Sequence, residues 1–116
     1  LKRLAGDARI ERIERERERG REVYEATWHV NGLVREAAVT ARGEVVEIEE
    51  EIESANVPTL VRAAAIARLP NAQSMKFIKL QSGNYEAEAI VDGREKEITF
   101  APDGREVGDD GDGDDD

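Results

Sequence analysis

Residues 24–33 read Tyr24-Glu25-Ala26-Thr27-Trp28-His29-Val30-Asn31-Gly32-Leu33, and the Tyr-Glu-Ala opening returns as Tyr85-Glu86-Ala87. The punctuation returns with it. Asn31-Gly32 answers Asp92-Gly93, and Arg42-Gly43 answers Asp103-Gly104. All three matches share one offset, 85 − 24 = 61, so the chain carries an internal duplication. Within the quoted stretch, Tyr24, Ala26, Trp28 and Val30 fall on one face of a strand, and Glu25, Thr27 and His29 on the other. Asn-Gly and Asp-Gly between alternating runs signal two-residue hairpins, because a type I′ turn needs positive φ at both central residues.

Each copy then reads as a series of strands. The first has strands over 9–18, where the Arg-Glu alternation also allows a charged helix, and over 22–30, 33–41 and 44–49. The second has 74–80, 84–91, 94–100 and a short 105–107. One helix is expected between the copies at about 57–69, with Asn56 as N-cap and Pro58 in the first turn. Leu60, Val61, Ala64, Ala65 and Leu69 form its apolar stripe. The N-terminus maps onto the second copy with a shift of 65, Leu4, Ile10 and Ile13 answering Leu69, Met75 and Ile78. Residues 1–4 are thus the tail of a helix matching 58–69, most of which precedes the chain, and the first sheet is expected to lack its cover. The inward set is Trp28, Val39, Ile48, Val61, Leu69, Ile78, Tyr85, Ile98 and Phe100.

The expected fold is therefore α+β: a tandem repeat of a helix plus a four-stranded antiparallel sheet, with the first helix largely missing. Residues 1–53 form the first half-repeat, 54–108 the second repeat, and 109–116 an acidic Asp/Gly tail. Helix followed by four antiparallel strands, with Val57-Pro58, Leu69-Pro70-Asn71-Ala72, Tyr85-Glu86-Ala87, Asp92-Gly93 and Asp103-Gly104 in that order, resembles the PepSY-like family. Tyr24-Glu25-Ala26, Asn31-Gly32 and Arg42-Gly43 repeat part of the pattern. The family's layout is similar to the repeat of the secreted β-lactamase inhibitor protein. The resemblance spans about residues 4–107. It implies a non-enzymatic, exported domain, periplasmic or extracellular, that binds or restrains other proteins. The chain departs from the pattern in its lost first helix and its terminal run of Asp.

Composition narrows the partners. Lys plus Arg number 17 against 27 Asp plus Glu, a formal charge of −10. That field repels nucleic acid and anionic membranes and attracts cations or basic partners. There is no cysteine, which removes thiolate chemistry and disulfides, and no apolar run reaches the length of a membrane span. The first residue is Leu rather than Met, so a segment is expected to have been removed upstream. His29 is the lone histidine, on the polar strand face, and no acid–base constellation assembles around it.

Two acidic runs stand out. Glu47, Glu49, Glu50, Glu51 and Glu53 read either as a patch for a basic partner or metal, or as a solvated strand end. Asp110, Asp112 and Asp114 have the 1, 3, 5 spacing of a calcium loop, with Asp109, Asp115 and Asp116 as further oxygen donors. The alternative is a disordered, solubilising tail. Arg and Glu alternate through residues 9–22, reading as a charge-blunted edge strand or as rows that interlock with a partner. The functional expectation is a non-enzymatic interaction or structural module. Its partners would be proteins, including copies of itself, assembling into an extracellular polymer with Ca²⁺-stabilised contacts. A monomeric periplasmic inhibitor or regulator of a secreted enzyme is the alternative.

Overall fold

The computed structural model describes residues 5–6, 9–18 and 20–107. Strand β1 spans Arg12–Glu18, β2 Arg21–Val30, β3 Leu33–Thr40 and β4 Val45–Ile52. A 3₁₀ turn at Ser54–Asn56 leads to helix α1, Thr59–Arg68. Strands β5 (Ser74–Leu80), β6 (Tyr85–Val91), β7 (Arg94–Phe100) and β8 (Glu106–Val107) follow. The chain divides into two compact units, Leu1–Glu51 and Ile52–Asp116.

The expected tandem repeat of helix plus four-stranded sheet is not what forms. Among the described residues the strands pair antiparallel in chain order, β1 to β4 in the first unit and β5 to β8 in the second, and the one complete α-helix is α1 of the second unit. Strand makes up 56% of the structure and helix 14%, so β pairing dominates. The reason lies in the connections. Within each unit, turns of two to five residues return each strand beside its predecessor, which builds an antiparallel meander. The helix does not recur among the described residues, where the first unit has helical backbone only at Ala5. Leu1–Leu4, expected to end a helix, lie outside the described residues.

The hairpins form for the reason their sequences give. Asn31 has φ 53° with Gly32 at 81°, and Asp92 has φ 54° with Gly93 at 77°. These are the positive values that type I′ turns require. The turns set Trp28 opposite Arg35 and Ala26 opposite Ala37 in the first unit. In the second they set Ala87 opposite Ile98 and Tyr85 opposite Phe100.

In the second unit, α1 lays Val61 and Ala65 onto a sheet face built from Phe77, Ala87, Ala89 and Phe100, with Val57 and Leu69 at the helix ends. Ala87 and Ala89 are small enough to let the helix approach. Burying Val61 completely stabilises by about 1.5–3 kcal/mol. Pro58, not Asn56, occupies the N-cap, and no side chain caps the first turn. Arg68 in the last turn complements the negative end of the helix dipole.

In the first unit the residue matching Ala89 is Trp28, 3% exposed and packed with Ala5, Ala26 and Ala37. Its indole fills volume where the second unit has Ala89 beneath a helix. The centre of this face is therefore covered, contrary to the expectation of a bare sheet. Ile13 and Val45, at 56% and 40% exposure, mark where apolar cover is thin.

One member of the expected core is on the wrong face. Ile13 pairs with Ala26, and Phe77 pairs with Ala87, so the copies align in β1 and β5 with a shift of 64 rather than 65. A one-residue error reverses every side chain in a strand. Phe77 takes the core position, and Ile78, though 8% exposed, points to the opposite face, across from Glu86. The hairpin joining β1 and β2 carries more pairs and a tighter turn than that joining β5 and β6, which is why counting from one to the other slips.

The duplicated turn glycines separate backbone strain from packing. Gly43 (φ 89°) has open space where a Cβ would sit, whereas at Gly104 (φ 90°) the Cβ would lie 2.7 Å from the Leu60 carbonyl oxygen of α1. Gly43→Ala should cost about 1–2 kcal/mol from its backbone conformation alone. Gly104→Ala should cost at least about 1 kcal/mol more by urea unfolding, because α1 must shift. Equal costs would show that α1 does not seat against this turn.

Candidate functional site

Opposite the Trp28 face, strand alternation gathers carboxylates. In the first unit these are Glu14 and Glu16 of β1, Glu25 of β2, Glu36 of β3, and Glu47 and Glu49 of β4, all half-buried. The register sets Glu14 directly across from Glu25 and Glu36 directly across from Glu49, while Ala38 lies between Glu25 and Glu47. Like charges in directly opposed positions destabilise a sheet. Glu25, Glu36, Glu47 and Glu49 line a shallow recess floored by Ala37 and Ala38.

Glu25 registers the strain. Its carboxyl is raised from 4.5 to about 7, first by desolvation and then by the charges of Glu16, Glu36, Glu47 and Glu14. The Ala38 side chain directly across from it has no donor to solvate the anion.

The second unit repeats the arrangement. Glu86 and Glu88 of β6 share a face with Glu97 of β7, and Glu88 lies directly across from Glu97. Glu25 matches Glu86 and Glu36 matches Glu97 at the same 61-residue offset as the turns. Here Lys76 of β5 stands across from Glu88. The duplicated glutamates were visible in the sequence: one sits inside the Tyr-Glu-Ala tripeptide itself. Only the strand register shows that both fall on one face.

The oxygens of Glu14, Glu16 and Glu25 lie within 4.8 Å of one another, as do those of Glu86, Glu88 and Glu97. Three carboxylates fall short of the six to eight oxygens calcium takes, and neither triplet is assigned to a metal. The calcium expectation concerned other residues. Asp109, Asp110, Asp112, Asp114, Asp115 and Asp116 all lie outside the described residues.

The remaining expectations sort by face. The acidic run after Val46 is split by alternation. Glu47 and Glu49 join the glutamate face, Glu50 pairs with Arg35 at 3.3 Å, and Glu51 accepts a hydrogen bond from the Val34 backbone at 3.0 Å. His29 is exposed and contacts Glu11, its Nδ1 lying 2.8 and 2.9 Å from the two carboxylate oxygens. Trp28 is core, and its Nε1 is buried with no acceptor among the described residues. Beside α1 a groove of about 300 Å³ is lined by Arg62, Ile66, Leu69, Met75 and Phe77. Arg62 Nη1 donates to the carbonyls of Ser54 (2.7 Å) and Val57 (3.3 Å), tying the 3₁₀ turn to the helix. No helix among the described residues is long and apolar enough to cross a membrane.

Comparison with family models, with curated proteins and with solved structures finds no match to this chain. The functional reading therefore rests on the geometry of the glutamate face.

Glu25 gives that face a measurable pH signature. Between about pH 4.5 and 7 the folded chain keeps a proton on Glu25 that the unfolded chain has lost. The folded state binds more protons there, so stability falls as pH rises through this window. Solvent screening of a half-exposed group limits the effect to about 1 kcal/mol. Glu25→Gln should remove that component between pH 5 and pH 8 in urea unfolding and should raise stability at pH 8. An unchanged pH profile in Glu25→Gln protein would show that the strain is not at this residue.

Proposed function

We propose that the chain is a non-catalytic protein-interaction module whose glutamate-lined sheet face receives a cationic segment of a partner protein. The observation that carries this reading is the duplicated like-charge face. Glu25, Glu36, Glu86 and Glu97 recur at the offset of the turns, and each unit sets one glutamate directly opposite another. Such pairs cost folding stability. A Lys or Arg side chain laid beside Glu25, whose carboxyl is held up first by desolvation and then by its acidic neighbours, would favour its charged form and so gain binding free energy there. Alternate residues of an extended strand are about 6.6–7 Å apart, which lets the basic side chains of one extended peptide meet successive glutamates along the sheet. The charge of −10 would speed encounter with a basic partner.

The resemblance to PepSY-like proteins points the same way, toward binding rather than catalysis. A second copy of the chain is the poorer partner for this surface, since glutamate would face glutamate. The edge of β1 is no better suited to self-pairing. Antiparallel pairing of two β1 strands would set the row Glu14, Glu16 against itself and the row Arg15, Arg17 against itself.

Calorimetry with an extended peptide of alternating Lys and Thr tests the reading, with a Glu/Thr peptide as control. The Lys peptide should bind, and its affinity should fall steeply between 50 and 300 mM salt. Glu25→Gln/Glu47→Gln protein should bind at least about threefold more weakly, as expected for losing two charge contacts of a few tenths to one kcal/mol each. Equal affinity of the double variant and the parent, or binding of the Glu/Thr peptide, would overturn the proposal.

A further inference from the structure

Strand β1 is held on the sheet differently from its counterpart β5. Strand β5 is anchored on both faces by buried side chains, Phe77 at 3% and Ile78 at 8% exposure. None of the described side chains of β1 is buried. Ile13, in the place of Phe77, is 56% exposed. Arg12, Arg15 and Arg17 are exposed, and Glu14 and Glu16 are half-buried. What keeps β1 in place is its backbone ladder to β2 together with its charges.

Those charges act in opposite senses on the two faces. On the Trp28 face Arg15 reaches Glu22 of β2 at 3.8 Å, an attraction. On the glutamate face Glu14 lies directly across from Glu25, and Glu16 is close enough that the oxygens of all three fall within 4.8 Å. Arg12 pairs with Glu14 inside β1 itself and so does not tie the strand to β2. The other charged groups on this face near Glu25 are Arg21 and His29 on β2, Glu36 on β3, and Glu47 and Glu49 on β4. His29 contacts Glu11, just ahead of β1. The balance around Glu25 is strongly negative, and the strand that carries Glu14 and Glu16 has no buried side chain among its described residues.

We propose that β1 is a proton-gated edge strand, docked on β2 when the Glu14–Glu16–Glu25 cluster holds a proton and loosened when all three carboxylates are ionised. Desolvation of Glu25 by the surrounding strands favours uptake of that proton near neutral pH. Loosening β1 uncovers the backbone edge of β2. The gate therefore regulates access to an unpaired strand edge, whatever binds the glutamate face.

Amide hydrogen exchange resolved by residue tests the gate. Protection of the β1 amides, corrected for intrinsic exchange, should fall roughly fivefold between pH 6 and pH 8, the size of one unit-charge repulsion at about 5 Å in a largely aqueous environment. Amides of β6 in the second unit should not follow. In Glu25→Gln protein the β1 protection should become independent of pH and high throughout. Glu14→Gln should flatten the profile as well, which keeps the test decisive if the Glu25 variant folds poorly. His29→Gln should leave the fall intact. Overturning results would be pH-independent β1 protection in the parent, a fall that persists in both glutamine variants, or a fall abolished by His29→Gln alone.

Discussion

The two-residue turns at Asn31-Gly32 and Asp92-Gly93 are the constraint on which the rest depends. Each fixes which residue of a strand faces which residue of the next, and side chains in a strand alternate with a period of two. A slip of one residue at Asn31-Gly32 would send Trp28 to solvent and Glu25 into the core. With the turn fixed, Trp28, Ala26 and Ala37 are buried together on one face. The opposite face is then obliged to collect Glu14, Glu16, Glu25, Glu36, Glu47 and Glu49. The glutamate face is the other side of the same register that builds the core.

The two units meet the demand for apolar burial by different means. Where the second unit uses Ala87 and Ala89 as a floor for Val61 and Ala65 of α1, the first uses the indole of Trp28 with Ala5. The Trp28 side supplies stability, and on the opposite side the glutamates work against the burial of Val23 and Ala38. Strand β1 has little of the first and much of the second. That combination connects the proposed partner surface and the proton gate: both draw on the close approach of carboxylates that the register imposes around Glu25.

Much of this was legible in the sequence. The repeated turns, the strand positions and the central helix follow from dipeptides whose conformational needs are local. The helix-plus-sheet tandem did not follow, because the described residues of the first unit have helical backbone only at Ala5, and the burial of Trp28 against Ala5, Ala26 and Ala37 depends on contacts rather than a pattern. Ile78 was misplaced for a related reason. Its neighbour Phe77 is equally apolar, and only the pairing of β5 with β6 decides which of the two faces the helix. The glutamate pairs were hidden in the same way. Glu25 and Glu36 read as ordinary polar positions of separate strands until the register puts them on one face. The Asp residues from 109 to 116 attracted attention by sheer density, whereas the carboxylates that the fold brings together are dispersed through four strands.

Salt dependence of thermal unfolding measures that repulsion most directly. Glu25→Gln should be compared with Glu53→Gln, which removes the same charge from an exposed position outside the face. At about 20 mM salt Glu25→Gln should melt roughly 4 °C or more above Glu53→Gln, the shift that about 1 kcal/mol produces in a chain of this size. The part of the gap that comes from the neighbouring carboxylates should close near 1 M salt, where screening acts over about 3 Å, while the part from desolvation of Glu25 remains. Equal melting temperatures of the two variants at low salt would contradict the claim that register-imposed repulsion is concentrated at Glu25.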